Sequence, residues 1–246
     1  MIAARKSPIF AAWFARDAEK RIFRAFGEVR VRGLQELRAI TASAPVLVVS
    51  NHTSWWDPLV VLMLCTRILR VDAYAMMDAK NLRRLPFFGK VGAFGVDLDD
   101  AVDGARAIRY AAKLLQKAGR VVWIFAQGKE VPITARPLVF RGGTGEIARV
   151  AKRALLVPVA IRYEHGSRAE PTLYISVGAG LDAELDVTRG RAAQEEAVTA
   201  ELDRIDRSLI EGDFQGFEVL HRREPSWLMT IAERMLAWLT RPRLGA

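Results

Sequence analysis

Cysteine is almost missing from this chain: Cys65 is the only one among 246 residues. That excludes a disulfide framework and any zinc site built on thiolates. Histidine is nearly as scarce, with three residues far apart in the chain, so no metal site is expected. No apolar run approaches the roughly eighteen residues that a membrane-spanning helix needs. Near the N-terminus Arg16, Asp17, Glu19 and Lys20 interrupt any apolar core of a secretory signal, so a cytoplasmic location is expected. Zinc-finger spacing, a basic zipper and an aromatic RNA-binding signature are all lacking, which argues against a nucleic-acid partner. No Gly-x-Ser-x-Gly elbow occurs either, which removes the usual serine nucleophile of α/β hydrolases.

What the chain does have is apolar content and positive charge. Hydrophobic residues make up 51% of it, enough to build a large core. Lys and Arg number 37 against 28 Asp and Glu, a formal charge of +9. Such a balance favours anionic partners, either a phosphate-bearing substrate or an acidic membrane surface.

Periodicity organises the chain as a single domain over 1–246, with a core at about 45–178. Ile9/Trp13, Phe10/Phe14 and Ile22/Phe26, each four apart, predict an amphipathic helix over about 8–26. Strands are expected at Val29–Leu34, Val46–Ser50, Val71–Met77, Ala93–Leu98, Val121–Phe125, Leu155–Tyr163 and Thr172–Val177. Helices are expected at Pro58–Arg67, about 101–118, Thr144–Arg153, 190–210 and Ser226–Leu239, the last two forming C-terminal helices within about 190–240. Alternating strands and helices imply an α/β fold with a mostly parallel central sheet flanked by helices.

One segment stands out chemically. After the apolar run Val46–Val49 comes Asn51-His52-Thr53-Ser54-Trp55-Trp56-Asp57, at the edge where α/β sheets present their sites. Histidine has an unperturbed pKa near neutrality, and a carboxylate five positions on can orient it, a pairing suited to deprotonating a hydroxyl. A capped turn is the competing reading, with Asp57 as cap of a helix opened by Pro58. Gly143-Thr144-Gly145-Glu146-Ile147-Ala148 fits a dinucleotide fingerprint with Glu164 downstream, a rival reading as an oxidoreductase. The cluster Asp97, Asp99, Asp100 and Asp103 lacks the pattern of a calcium loop and is better read as helix capping, by Asp99 or Asp100. His165 and His221 are read as surface residues, and at least one of Trp55 and Trp56 as packed in the core.

In order along the chain, four blocks resemble the glycerolipid acyltransferase family that includes 1-acylglycerol-3-phosphate acyltransferases. They are Asn51/His52/Asp57, Gly92–Leu98, Phe125-Ala126-Gln127-Gly128-Lys129-Glu130 followed by Phe140–Gly143, and Val157–Ala160. The resemblance covers about 45–163. It implies a glycerol-3-phosphate-acyltransferase-like fold and transfer of an acyl group from acyl-CoA or acyl carrier protein to a lipid hydroxyl. His52 would be the general base, Asp57 its orienter, and no acyl-enzyme would form. The resemblance further places Asn51, Gln127, Gly128, Lys129, Arg141 and Gly143 at the substrate, with the amides near Gln127 and Gly128 as oxyanion donors. Lys80, Arg83 and Arg84 are expected at the donor. No cofactor is implied beyond the acyl thioester itself.

The departures are as informative. The family's Arg in the second block is Leu98 here, its Glu in the third is Gln127, and its Arg is Glu130. Those positions are associated in the family with a glycerol-phosphate acceptor, so an acceptor other than ordinary lysophosphatidate is expected. Lys129, Arg136 and Arg141 are the nearby cations that can take over that role. A lipid acceptor also implies a membrane. The basic, aromatic helix at 8–26 and the stretch Ser226–Leu239 predict peripheral docking on the inner face of an anionic leaflet. A non-catalytic lipid-binding relative is the alternative.

Overall fold

The computed structural model describes residues 1–166, 168–224 and Met235. The strands are β1 Glu28–Arg32, β2 Val46–Ser50, β3 Asp72–Asp78, β4 Ala93–Val96, β5 Arg120–Phe125, β6 Leu155–Glu164, β7 Thr172–Val177, β8 Leu181–Asp182 and β9 Phe217–Arg222. They form one sheet in the order β4-β3-β5-β2-β6-β7-β1-β9, with β8 beside the start of β6. From β4 to β6 all neighbours are parallel. β7 and β9 each run antiparallel to their neighbours β6 and β1. The short β4 edge is covered by the N-terminal segment, where Ile2 exchanges two backbone hydrogen bonds with Gly95, which blunts an otherwise open row of peptide groups.

Two-residue alternation distributes the core to the two faces. Val46 and Val48 of β2, Trp123 of β5 and Val157, Val159 and Ile161 of β6 join one cluster. Leu47, Val49, Val122, Ile124, Leu156 and Ala160 join the other. The first face is covered by helices α1 (Pro8–Ala25), α2 (Leu34–Ser43) and α3 (Asp57–Met63). The second is covered by α5 (Ala101–Leu114), α6 (Thr144–Ala151) and α7 (Ala183–Glu211), following the short α4 (Ala79–Arg84) at the sheet edge. Central strands buried on both sides are what near-continuous aliphatic runs such as Val46–Val49 require.

Several elements differ from expectation. Val29–Leu34 was expected as a strand, but Gly33 turns the chain at φ 73 and Leu34 starts α2. The helix α2 escapes periodicity because Leu37 and Thr41 are its sole buried residues after Leu34. The polar β9 lacks alternation because it is an outer strand with largely exposed side chains. The helix expected from Pro58 begins at Asp57 and continues past Met63 as a π-helical turn over Leu64–Leu69. Helix α1 buries Ala11, Ala15, Ala18 and Ile22, so small residues face α3 and the bulky Ile9 and Trp13 point outward at 86% and 62% exposure. The expected Ser226–Leu239 helix lies, Met235 aside, outside the described residues.

Cys65 sits in that π-helical turn, wholly buried, and burial pushes its thiol up to about 12. A thiol so placed stays protonated and unreactive at neutral pH. Ellman's reagent should therefore find no reactive thiol in the native protein and one per chain after denaturation.

Candidate active site

Strand β2 ends at Ser50, and its last side chain is pinned by the Trp123 indole N–H of β5, 2.7 Å away. Next, the buried Asn51 carboxamide donates to the Ile161 carbonyl and accepts from the Ile161 N–H, each at 2.8 Å. Asn51 therefore clamps β2 to β6 where the two strands diverge. This corrects its expected placement at the substrate: both ends of the amide are engaged and the residue is fully buried.

The chain then turns and presents His52. Its Nδ1 lies 2.7 Å from Asp57 Oδ2, and its ring stacks on Phe125 with centroids 4.4 Å apart. The same Oδ2 accepts the backbone N–H groups of Thr53 at 2.8 Å and Ser54 at 3.0 Å. Oδ1 accepts the Tyr163 hydroxyl at 2.5 Å. Asp57 is fully buried, and a buried carboxylate surrounded by donors acts purely as an acceptor. The Nδ1 hydrogen is thereby assigned to the shared bond, which leaves Nε2 with its lone pair. Asp57 does not cap α3 in the expected way. Trp56 occupies the cap position without a side-chain bond, and the Asp57 carboxylate reaches back into the turn instead.

Tyr163 is the member of this constellation that sequence reasoning missed. It lies 106 positions from Asp57, at the end of β6, and no short-range pattern announces it. Burial and the adjacent Asp57 carboxylate push its hydroxyl well above the usual tyrosine range, so it remains a donor at any working pH. Val157–Ala160, on the same strand, was the only visible sign that this strand belonged to the site.

Gln127 also takes a different role from the expected one. It is buried, its Oε1 accepts the His52 backbone N–H at 2.8 Å, and its Nε2 donates to the Leu138 carbonyl at 3.0 Å. Its carboxamide therefore positions both the histidine and the loop spanning residues 127–140. The Gly128 amide donates to Phe125 O at 3.0 Å, so it is not free to serve an oxyanion. Gly128 itself has φ +71, a backbone conformation that other residues adopt only with strain.

Two cavities lie near the turn that carries His52, which itself lines neither. The larger, about 810 Å³, is lined by Phe125, Gln127 and apolar residues including Met76, Leu98, Ile108 and Phe140. The exposed Lys129, Arg141 and Arg191 stand around it, along with Gly143. The smaller, about 390 Å³, opens beside Thr53, Ser54, Trp56 and Tyr163. Lys80 is 3.6 Å from Asp99, near the larger cavity, whereas Arg83 and Arg84 line neither cavity and stand exposed at the end of α4. The dinucleotide reading fails on geometry. Gly143 caps α6 at the end of a long loop rather than after a strand, so the strand-turn-helix that holds a pyrophosphate is not formed. Asp100 caps α5 as expected. His165 is exposed, but His221 is stacked on Phe23 at 4.2 Å and is not a free surface residue.

Replacing Tyr163 with Phe leaves Asp57 Oδ1 buried without a donor, at a cost of about 1–3 kcal/mol in stability. The turnover rate should fall roughly tenfold, the effect of about 1.4 kcal/mol of lost orientation. With one donor fewer, Asp57 holds an imidazolium more strongly, so the acidic limb of the pH–rate profile should move to higher pH.

Comparison with known proteins follows the same lines. No match to a curated protein is found. Among solved structures, the crystal structure of the 1-acyl-sn-glycerophosphate (LPA) acyltransferase PlsC from Thermotoga maritima superposes with a TM-score of 0.53 at 18% identity. That match covers 83% of this chain and 81% of the other, and at this identity it establishes a shared fold. The model of the Acyltransferase family matches residues 28–162, from β1 through nearly all of β6. That interval contains Asn51, His52, Asp57 and Gln127, and on it the chain belongs to the acyltransferase family.

Proposed function

We propose that the protein transfers a fatty acyl group from an acyl thioester, acyl-CoA or acyl carrier protein, to a hydroxyl of a lipid acceptor. The observation that carries this reading is the fixed His52–Asp57 pair, with Nε2 left as the basic nitrogen and the ring stacked on Phe125, which lines an apolar cavity suited to an acyl chain. In the proposed step the acceptor hydroxyl gives its proton to Nε2 as its oxygen attacks the thioester carbon. The imidazolium is stabilised by Asp57, and the tetrahedral oxyanion is met by donors in the β5–loop turn, where Gln127 N remains of the expected pair. Collapse expels the thiolate, which takes the proton from Nε2. The buried, protonated Cys65 gives no route through an acyl-cysteine.

The larger cavity suits the substrates: an apolar interior for an acyl chain, and Lys129, Arg141 and Arg191 around it for an anionic group. Lys80 can extend that cationic rim, and Arg83 and Arg84 fit the membrane face better. The departures Leu98, Gln127 and Glu130 support an acceptor other than lysophosphatidate. Leu98 and Gln127 are neutral where a phosphate clamp would be charged, and Glu130 is an exposed carboxylate.

The outward face of α1 supports a membrane-docking role. Phe10, Trp13 and Phe14 form an aromatic cluster that continues to Phe87 and Phe88, with Arg5, Arg16, Lys20, Arg83, Arg84 and Lys90 exposed around it. No helix among the described residues is long and apolar enough to cross a membrane, and this arrangement suits one lying in the interface of an anionic leaflet on the inner face.

Thiol release from palmitoyl-coenzyme A in the presence of total lipid extract tests the reaction. His52→Ala should lower it by roughly 10²–10⁴, the usual share of a general base; equal rates for both proteins would overturn the reading in favour of a non-catalytic lipid-binding protein. Flotation with vesicles containing an anionic lipid tests docking. Ile9→Ser with Trp13→Ser should reduce the bound fraction at least tenfold, since each buried apolar side chain contributes about 1.5–3 kcal/mol.

A further inference from the structure

The solvent side of the α5/α6 layer carries a concentration of positive charge that the chemistry at His52 does not use. Arg106, Arg109 and Lys113 are exposed on α5 and Lys117 in the turn after it, with Arg149 exposed on α6 and Arg153 just past its end. Spacings of three and four put Arg106, Arg109 and Lys113 on one stripe of the helix. Arg149 pairs with Glu146; the other five cations form no ion pair among the described residues. Like charges three and four apart destabilise a helix, so the stripe works against the fold that carries it. A local rule broken with no compensating contact inside the chain points to a partner outside it.

Position and composition select that partner. Helix α1 packs on one face of the sheet, and α5 and α6 on the other. A molecule lying with α1 on a leaflet therefore turns this stripe toward water. Val102 and Val150 are the large apolar side chains exposed on α5 and α6, and neither helix exposes an aromatic ring. Docking on a bilayer needs apolar side chains that insert, and single-stranded nucleic acid needs rings on which bases stack. A purely cationic stripe is instead the complement of a soluble, acidic protein surface.

The same two helices wall the larger cavity from within, through Ala101, Gly104, Ala107 and Ile108 of α5 and Ile147 of α6. A partner docked on the stripe lies about one helix diameter, 10–12 Å, from that cavity. We infer that the stripe docks the carrier of the acyl donor, and that this carrier is an acidic protein bearing the thioester on a flexible arm. The inference rests on the acyl-transfer reading above. Coenzyme A would be held by cations converging on its phosphates. Here Arg106 to Lys113 already runs about 10 Å along α5, at 1.5 Å per residue, and Arg149 and Arg153 widen the face across α6, dimensions that match a protein surface.

Turnover and binding test it separately. Thiol release is followed from palmitoyl-acyl carrier protein and from palmitoyl-coenzyme A, with total lipid extract as acceptor. The triple variant Arg106→Glu/Arg109→Glu/Lys113→Glu should raise KM for the protein-bound donor roughly tenfold or more, with its kcat and both constants for palmitoyl-coenzyme A moving less than about twofold. The unchanged coenzyme A constants also show that the variant is folded. Calorimetric titration with acyl carrier protein free of its acyl chain should show binding that weakens as salt rises and weakens roughly tenfold or more in the triple variant. Equal KM and equal carrier affinity in wild type and variant would overturn the inference. So would a variant that keeps its carrier affinity but no longer floats with anionic vesicles or no longer retains RNA, which would give the face to those partners. His52-dependent release from palmitoyl-coenzyme A alone, with none from the protein-bound donor, refutes the inference and leaves acyl transfer standing. If neither donor gives His52-dependent release, acyl transfer itself fails and the inferred role of the stripe fails with it.

Discussion

A fully buried carboxylate is the constraint around which this site is arranged. Removing Asp57 from water is unfavourable unless donors replace its hydration, and four converge on it: the His52 ring, two backbone amides of the turn and the Tyr163 hydroxyl. Each donor comes at the cost of a fixed piece of backbone. The two amides define the turn after β2, the phenol requires β6 to reach the same depth, and Asn51 bolts the two strands together beneath it. The histidine's orientation is therefore a property of the whole sheet edge and not of a local pair.

That arrangement also sets two cavities close to the same turn. The strand order puts β2 between β5 and β6. Strand β5 and its loop contribute Phe125 and Gln127 to the larger cavity, while β6 and the chain just past α1 contribute Tyr163 and Phe26 to the smaller. His52 follows the middle strand; its neighbours Thr53 and Ser54 line the smaller cavity, and Phe125, on which its ring stacks, lines the larger.

The pairing of His52 with Asp57 was legible because both lie on one short turn, and so were the strands β2, β5 and β6, whose aliphatic runs admit little else. Tyr163 was not, because its relation to Asp57 exists only once β2 and β6 lie side by side. The part Asn51 and Gln127 play in the architecture was hidden for a related reason: a polar residue in a motif suggests contact with substrate, whereas both carboxamides are engaged by backbone, Gln127 while also lining the larger cavity. Helix α1 was legible as a helix and not as a surface. Spacing by four located its aromatic residues, but the close approach to α3 selected the alanines instead and left Ile9 and Trp13 outside. The polar strand β9 carried no alternation to detect.

Gln127 ties the site to its covering loop through an amide that donates at one end and accepts at the other. A carboxylate in the same place could accept from His52 N but could not, while ionised, donate to the Leu138 carbonyl. It would hold both contacts only when protonated, and the loop would loosen and tighten with acidity. The amide has no such titration. Among the groups that shape this site, the fastening of the loop is indifferent to proton concentration, so acidity reaches the reaction through the imidazole rather than through the architecture around it.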